Sequence, residues 1–460
     1  MNQYAFSSLE LNPALVSNLE SLEFNSMTAI QALSLPFILV GQDVIAQGQT
    51  GSGKTAAFGL GLLNKIDVSQ FAVQALVLCP TRELAEQVSG EIRRLGRSIP
   101  NVKLLTLYGG TPIKAQTESL AKGVHIVVGT PGRIEDHLNK GSLPLEALNT
   151  LVLDEADRML DMGFQKTLDA IIELIPRKRQ TLLFSATFPP EIESIAKRIT
   201  TDAEFLKVAP TQDTVRIDET LYKVANEKER IEALQRLLMP LENQPTVVFC
   251  NTRADTQSVA GSLKSRGFSA SALHGDMEQK DRDQTLLRFA NGSINVLVAT
   301  DVAARGLDIE SLDVVINYHL PKELDVYTHR IGRTGRAGAK GYSYSLFQAS
   351  EEFRVSKLEG VLGRSLSIGE LPPMAVLSQS PARPKMSTLR IEGGKKQKLR
   401  PGDLVGALTK GEDIAGTQLG KIQIMDNWAY IAVERDVAKL ALRKLSDGKI
   451  KGKSFRCRLV

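Results

Sequence analysis

Short apolar runs recur along the chain, each closed by a polar or glycine-rich residue and followed by a segment of helical length. In the first part they are 43–46, Ala75 to Cys79, Leu104 to Tyr108, His125 to Gly129, Leu151 to Leu153 and Thr181 to Phe184. Runs this short and this apolar predict strands buried on both faces. Their alternation with helical segments predicts a parallel sheet covered by helices. The pattern lapses between Lys207 and Ile217, where Pro210, Thr211, Gln212 and Asp213 show no periodicity. It then restarts at Thr246–Phe249, Ser269–Leu273, Ile294–Ala299, Val314–Asn317 and Tyr342–Phe347. From Leu371 to Pro384 four prolines and few large apolar residues predict a semi-extended linker. Beyond it the periods give strand Thr388–Ile391, helix Pro401–Leu408, strands Lys421–Ile424 and Ala429–Glu434, helix Val437–Leu445 and strand Ser454–Leu459. That β-α-β-β-α-β order predicts a small α+β domain of the RNA-recognition-motif type. The expected organisation is therefore an α/β lobe over 1–207, a linker over 208–217, a second α/β lobe over 218–370, a linker over 371–384 and the small domain over 385–460. A chain of 460 residues has room for about three domains.

The residues that close each run carry the chemistry. After 43–46 comes Gly48-Gln49-Thr50-Gly51-Ser52-Gly53-Lys54-Thr55, a G-x-x-x-x-G-K-T between a strand and a helical stretch, the context that motif requires. Its glycines let backbone N–H groups wrap phosphates, Lys54 reaches the terminal ones, and the Thr55 hydroxyl binds a metal. This predicts a nucleoside triphosphate site. Leu151–Leu153 ends in Asp154-Glu155-Ala156-Asp157, and acids so clustered ionise together only if a cation shares the site. A hard divalent ion such as Mg²⁺ suits carboxylates plus substrate phosphates; a solvated acidic turn is the plainer alternative. Pro80-Thr81-Arg82, Gly109-Gly110, Thr130-Pro131-Gly132-Arg133 and Ser185-Ala186-Thr187 close other runs, and five such endings along one sheet edge make a working surface. The second half has no further phosphate loop. It offers Cys250-Asn251-Thr252, His274-Gly275-Asp276, Thr300 to Asp308, and His329-Arg330-Ile331-Gly332-Arg333-Thr334-Gly335-Arg336. There arginines three apart are expected on one face of a short helix, fit to stabilise a γ-phosphate.

Charge sharpens the picture by region. The chain carries 57 Lys+Arg against 52 Asp+Glu, but the stretch from Pro384 to Val460 alone has 17 against 8. The basic excess belongs to the tail and points to a polyanionic partner there. Candidate grips are Lys395, Lys396, Lys398, Lys449, Lys451, Lys453, Arg456 and Arg458. The third tail strand has Trp428 and Tyr430 but lacks the K/R-G-F/Y-G/A-F signature of a stacking platform, and the first has no aromatic, which leaves recognition to those basic residues. Cys79, Cys250 and Cys457 lie far apart without a C-x-x-C, which disfavours zinc and a disulfide framework and makes Cys79 and Cys250 buried thiols. No leader-like start and no bilayer-length apolar stretch occurs, so a cytoplasmic protein without a membrane is expected. Nothing implies an obligate protein partner.

The motifs together resemble the DEAD-box RNA helicases. The resemblance rests on Asp154-Glu155-Ala156-Asp157, the phosphate loop and its flanking motifs, and on Phe24 and Gln31, which with Phe6 fit that family's adenine-recognising segment. It implies two tandem RecA-like lobes, ATP and Mg²⁺ as cofactors, and RNA as partner. Carried over, Gly48 to Thr55, Phe24, Gln31 and Asp308 would bind ATP, with Thr55 and Asp154 on the metal. Glu155 would activate water, and Lys54, Arg333 and Arg336 would meet the phosphates. Asp157, Ser185, Thr187 and His329 would couple hydrolysis to strand separation. Arg82, Gly110, Thr130, Arg133, Thr300 and Arg305 would hold the RNA backbone, which fixes register without reading sequence. Glu23 and Ala29 stand where the family often has Gly and Pro, and Gly48 where it usually has Ala. The tail, through Gly393 to Asp403 and Gly448 to Lys453, further resembles a bacterial branch whose tail recognises a hairpin of 23S ribosomal RNA during large-subunit assembly. The mechanism so implied is local unwinding of short duplexes as the lobes close on ATP and RNA. Two rivals stay open: an ATP-gated RNA clamp that hydrolysis merely resets, and a DNA translocase.

Overall fold

The computed structural model describes residues 5–48, 51–208, 217–304, 312–321, 323–335 and 340–460. The candidate site residues Gln49, Thr50, Arg305, Asp308 and Arg336 lie outside the described residues, as does most of the 208–217 linker.

The first lobe is a parallel sheet of β1 (Val44–Gln47), β2 (Ala75–Leu78), β3 (Leu104–Leu107), β4 (Ile126–Gly129), β5 (Thr150–Asp154), β6 (Gln180–Ser185) and β7 (Glu204–Lys207), in the order β3-β4-β2-β5-β6-β1-β7. Successive side chains of a strand point to opposite faces, and here both faces are dry. Val77, Val128 and Val152 pack with Phe58, Val88 and Ile92 on one side. Leu76, Val127 and Leu151 pack with Ile134, Met159 and Ile171 on the other. That is why the strands read as unbroken apolar runs.

The second lobe contains β8 (Ile217–Lys223), β9 (Thr246–Cys250), β10 (Ala270–Leu273), β11 (Val296–Thr300), β12 (Val314–Asn317), β13 (Gly341–Phe347) and the two-residue β14 (Ser367–Ile368). Its order, β10-β11-β9-β12-β13-β8-β14, repeats that of the first lobe strand for strand. Every pair in both sheets is parallel. The periodicity missed β7, β8 and β14. They sit at or next to the sheet edge, and β7 exposes half of its residues and β14 both, so polar residues interrupt the apolar signal.

The tail forms an antiparallel sheet of β15 (Met386–Ile391), β16 (Leu419–Ile424), β17 (Ala429–Glu434) and β18 (Cys457–Leu459), in the order β16-β17-β15-β18, with helices Pro401–Thr409 and Ala438–Asp447. Leu389, Ile391, Ile431 and Val433 face those helices and form the core with Leu404, Leu408, Ala441 and Leu445. The opposite face lies against the second lobe. There the Thr388 hydroxyl accepts from Asn291 Nδ2 at 2.8 Å and shares a 2.7 Å bond with Ser293 Oγ. The Arg390 guanidinium lies 5.0 Å from the Trp428 ring, and Lys280 Nζ 6.0 Å from it. The aromatic pair is thus not an open platform: Tyr430 is buried, and Trp428 precedes β17 and is engaged by cations.

The proline-rich segment is pinned rather than free. Arg236 Nε donates to the Pro372 carbonyl at 2.6 Å, Arg266 donates to the Leu377 carbonyl, and Arg435 Nε donates to the Pro384 carbonyl at 2.7 Å. All three cysteines are free, the two buried ones Cys79 and Cys250. Burial pushes Cys250 up to about 12, and Cys79 well above its ordinary value. No described helix is long and apolar enough to cross a membrane.

Candidate nucleotide and RNA sites

In a parallel sheet the loops that can hold a ligand leave the carboxyl ends of the strands. In the first lobe β5, β6 and β1 are neighbours, and Asp154 pairs with Phe184 while Gln47 pairs with Ser185. The phosphate loop, the acid cluster and Ser185-Ala186-Thr187 therefore leave the sheet side by side. Gly48 N–H donates to the Ser185 carbonyl at 3.0 Å, and Gln47 Nε2 donates to the Ala186 carbonyl at 3.2 Å.

The loop after β1 turns into helix Lys54–Lys65 through Gly51 (φ 85°) and Gly53 (φ 94°), a left-handed backbone that favours glycine. At Gly53 a Cβ would also lie 2.5 Å from Gln31 Nε2 and 2.8 Å from Thr28 Oγ1. Gln31 is buried on helix Ala29–Leu39. Its Oε1 accepts from Thr28 N–H at 2.9 Å and its Nε2 donates to the Gly53 carbonyl at 3.1 Å, so the segment expected to meet adenine is tied to the loop after β1. Phe24 has Phe6 edge-on at 6.3 Å and the Arg94 guanidinium 5.2 Å above its ring. Lys54 is buried and donates to the Gly48 carbonyl at 2.9 Å. Thr55 follows it on the first turn of the helix.

Asp154 ends β5 fully enclosed. Burial pushes its carboxyl up to about 7, Lys54 opposing and Glu155 reinforcing the shift. Its Oδ1 is buried with no hydrogen-bond partner among the described residues. Glu155 holds the chain in a left-handed turn (φ 53°, ψ 52°), a strained position for a non-glycine residue. Its Oε2 lies 3.1 Å from Arg158 Nη1, both side chains buried. Asp157 accepts from the amide and the hydroxyl of Thr187, both at 2.9 Å, and Ser185 Oγ accepts from Asp157 N–H at 3.2 Å. Burial works against ionising Asp157, but these bonds outweigh it and hold the carboxyl below its ordinary range.

The other half of the edge gathers cations. Arg82 opens helix Arg82–Leu95, and Arg133 lies on helix Pro131–Asn139, which Thr130 precedes. Both guanidinium groups converge on Gly109-Gly110 after β3. A Cβ at Gly109 would lie 3.2 Å from Arg82 Nη2 and 3.9 Å from Arg133 Nη2, and one at Gly110 (φ 83°) 2.0 Å from Arg82 Nη1. The predicted Arg82, Gly110, Thr130 and Arg133 thus come together, away from the phosphate loop.

In the second lobe Thr300 ends β11, and His329 lies on helix Leu324–Ile331. The expectation of three arginines on one helical face is corrected. The helix ends at Ile331 with Gly332 as its cap, so Arg333 lies beyond it, buried. The arginine that motif reasoning left without a role is Arg330. It is buried and donates to Asp301 at 2.6 and 2.8 Å, Asn251 at 3.0 Å, Asn317 at 3.1 Å and the His319 carbonyl at 2.7 Å. In the tail Lys449, Lys451 and Lys453 are exposed, and Lys451 Nζ donates to the Lys398 carbonyl at 3.1 Å, which brings the two lysine segments together.

Three family models match the chain: DEAD/DEAH box helicase over residues 28–195, helicase conserved C-terminal domain over 229–338, and DbpA RNA binding domain over 388–459. The chain is 51% identical over 457 residues to the ATP-dependent RNA helicase DbpA of Escherichia coli, covering 99% of each. It is 44% identical over 361 residues to the DEAD-box ATP-dependent RNA helicase CshA of Geobacillus kaustophilus, covering 78% of this chain and 77% of that one. Among solved structures it resembles Saccharomyces cerevisiae Dbp5 bound to RNA and ADP BeF3, with a TM-score of 0.72, 31% identity, and 80% of this chain and 95% of that chain covered.

Proposed function

The chain belongs to the DEAD-box ATP-dependent RNA helicases, of the type that ends in a DbpA RNA-binding domain, and from that premise we propose how its residues divide the work. ATP is held by the loop Gly48 to Thr55, with Phe24 and Gln31 at the base and Asp308 at the ribose. Lys54 and, from the second lobe, Arg333 and Arg336 meet the terminal phosphates. Glu155 orients and deprotonates the attacking water. The buried Asp154 Oδ1, which has no hydrogen-bond partner among the described residues, fits a divalent cation. Asp154 and Thr55 would hold Mg²⁺, which supplies charge neutralisation at the phosphates. Asp157 with Ser185 and Thr187, joined by His329, passes hydrolysis on to strand separation. Arg82, Gly110, Thr130 and Arg133, with Thr300 and Arg305, hold the RNA backbone.

One observation carries this reading: adjacent strands β5, β6 and β1 deliver a buried lysine, a buried carboxylate oxygen with no hydrogen-bond partner among the described residues and a hydrogen-bonded Asp157 to one edge. A solvated acidic turn would not bury these groups.

The tail supplies the address. Its sheet face is turned to the second lobe, which leaves the exposed Lys449, Lys451 and Lys453, with Lys395, Lys396 and Lys398, as its basic surface. Resemblance to the bacterial branch that carries this tail supports 23S ribosomal RNA of the large-subunit precursor as target, a place in ribosome assembly and a cytoplasmic location. ATPase rates of the full-length protein and of its K449E/K451E/K453E variant, titrated with 23S ribosomal RNA, unrelated RNA and DNA, test the reading. Strong stimulation by ribosomal RNA that the variant loses selectively is the expected result. Equal stimulation of both proteins by every RNA would leave the helicase standing and remove the address.

A further inference from the structure

Between the Gly109-Gly110 loop and Arg133 lies a buried amide that no motif marks. Gln116, on helix Ile113–Leu120, donates from Nε2 to the Tyr108 carbonyl at 3.1 Å and to Thr111 Oγ1 at 2.7 Å. Its Oε1 accepts from Arg133 Nη1 at 2.7 Å and lies 3.0 Å from Nε2 of the buried His137. An amide has two donors and two acceptor positions, and all four are used. The Gln116 oxygen only accepts, so His137 carries a proton on Nε2; in the neutral ring Nδ1, 2.7 Å from Ser142 Oγ, is left to accept from that hydroxyl. The reversed amide would aim an N–H group at the Arg133 guanidinium and its oxygen at the Tyr108 carbonyl. Burial, helped by Arg133, lowers the affinity of His137 for a second proton, which keeps that ring neutral.

The consequence falls on Arg133. One of its nitrogens, Nη1, is committed inward, to Gln116 and to the Thr111 carbonyl at 3.1 Å. Nη2 is turned toward Gly109, where Arg82 also arrives. Two guanidinium groups meeting at a glycine pair repel each other, and a flexible arginine would swing away. Gln116 ties the loop after β3 to the helix after β4 and aims the outward edge of Arg133 at the place where Arg82 points.

We propose that Gln116, its carbonyl shared with His137, is a positioning residue that presets Arg133 and the Gly109-Gly110 loop as one cradle for an RNA phosphate. This rests on the reading that Arg133 holds the RNA backbone. The cradle is set before RNA arrives, so less ordering remains to be done on binding.

The test is a double-mutant cycle in the full-length protein with Gln116→Ala, Arg133→Ala and the pair, reading the RNA concentration that half-maximally stimulates ATPase, with the KM for ATP as internal control. Gln116→Met, close in length and without the polar atoms, is run alongside so that a cavity is not mistaken for lost positioning. Each Gln116 variant is expected to raise the RNA constant roughly ten-fold, the equivalent of about 1.4 kcal/mol and the low end for a bond to a charged group. In the Arg133→Ala background the same change should add nothing. An equal rise in both backgrounds, or none in either, overturns the positioning role. If Arg133→Ala itself leaves the RNA constant unchanged, the reading of Arg133 as an RNA contact falls first.

Discussion

The two lobes thread their strands in the same order, yet they spend their buried charge differently. In the second lobe Arg330 is saturated: each guanidinium nitrogen has protein partners, drawn from the ends of β9, β11 and β12 and the residues just beyond them. In the first lobe Asp154 Oδ1 has no hydrogen-bond partner among the described residues. The duplicated topology decides where strand ends meet, and the residues after each strand decide whether the junction is closed by the protein or left for a ligand. After β1 comes a glycine loop. After β8 comes Val224, buried, and Asn226, whose side chain accepts from Glu229 N–H at 3.0 Å and starts an ordinary helix.

If Arg330 is a structural tie, removing it should act on folding. Arg330→Ala strands partly buried partners, and breaking such a pair costs about 3–5 kcal/mol. Urea unfolding of the full-length protein should show a transition that shifts strongly to lower denaturant; an unchanged transition with lost ATPase would make Arg330 part of the chemistry instead.

Lys54→Ala should do the reverse. Loss of one preorganised charge donor typically costs about 10²–10³ in kcat, and the unfolding transition should stay where it is. A lysine at the end of the equivalent strand gives the contrast: Lys223, the last residue of β8, is exposed and paired with Glu352 at 2.7 Å, so Lys223→Ala should change turnover by less than about two-fold. RNA-stimulated turnover that survives Lys54→Ala would remove the distinction between the lobes.

A smaller effect separates hydrolysis from its use. The double variant Ser185→Ala, Thr187→Ala deletes two hydroxyls bound at Asp157 and leaves Lys54 and Glu155 in place. Strand separation per ATP should fall about ten-fold, as for loss of one or two bonds to a carboxylate, while ATPase changes only a few-fold. Parallel loss of both rates would show that the two are not separable there.

Much of this was legible in the sequence, for reasons that differ by residue. Strands buried on both faces announce themselves as apolar runs, and the glycine loop, acid cluster and arginines announce themselves because phosphate chemistry needs those residue types at those spacings. Edge strands such as Glu204–Lys207 did not, because half their side chains meet water. Arg330 could not be told from Arg333, since helix geometry alone set them on one face and only the stop at Gly332 parts them. Gln116 is a polar residue in a helix, and nothing in its spacing shows that a loop and a second helix converge on it.

At two of the three departures from the family pattern, backbone geometry shows what the usual residue would supply. Glu23 adopts φ 61°, which is why glycine is common there. Ala29 is the first residue of helix Ala29–Leu39, the position where proline's fixed φ is already helical and its missing N–H costs least. The preceding Thr28 has φ −71° and ψ 166°, the extended region that a following proline requires. Ala29→Pro should therefore stabilise the first lobe by about 0.4–1 kcal/mol, chiefly by restricting the unfolded chain. The gain should be seen in a urea titration monitored at that lobe. No matching gain is expected in the second lobe, and the KM for ATP should not rise. Destabilisation with a raised KM would mean that the Ala29 amide holds something the phosphate loop needs.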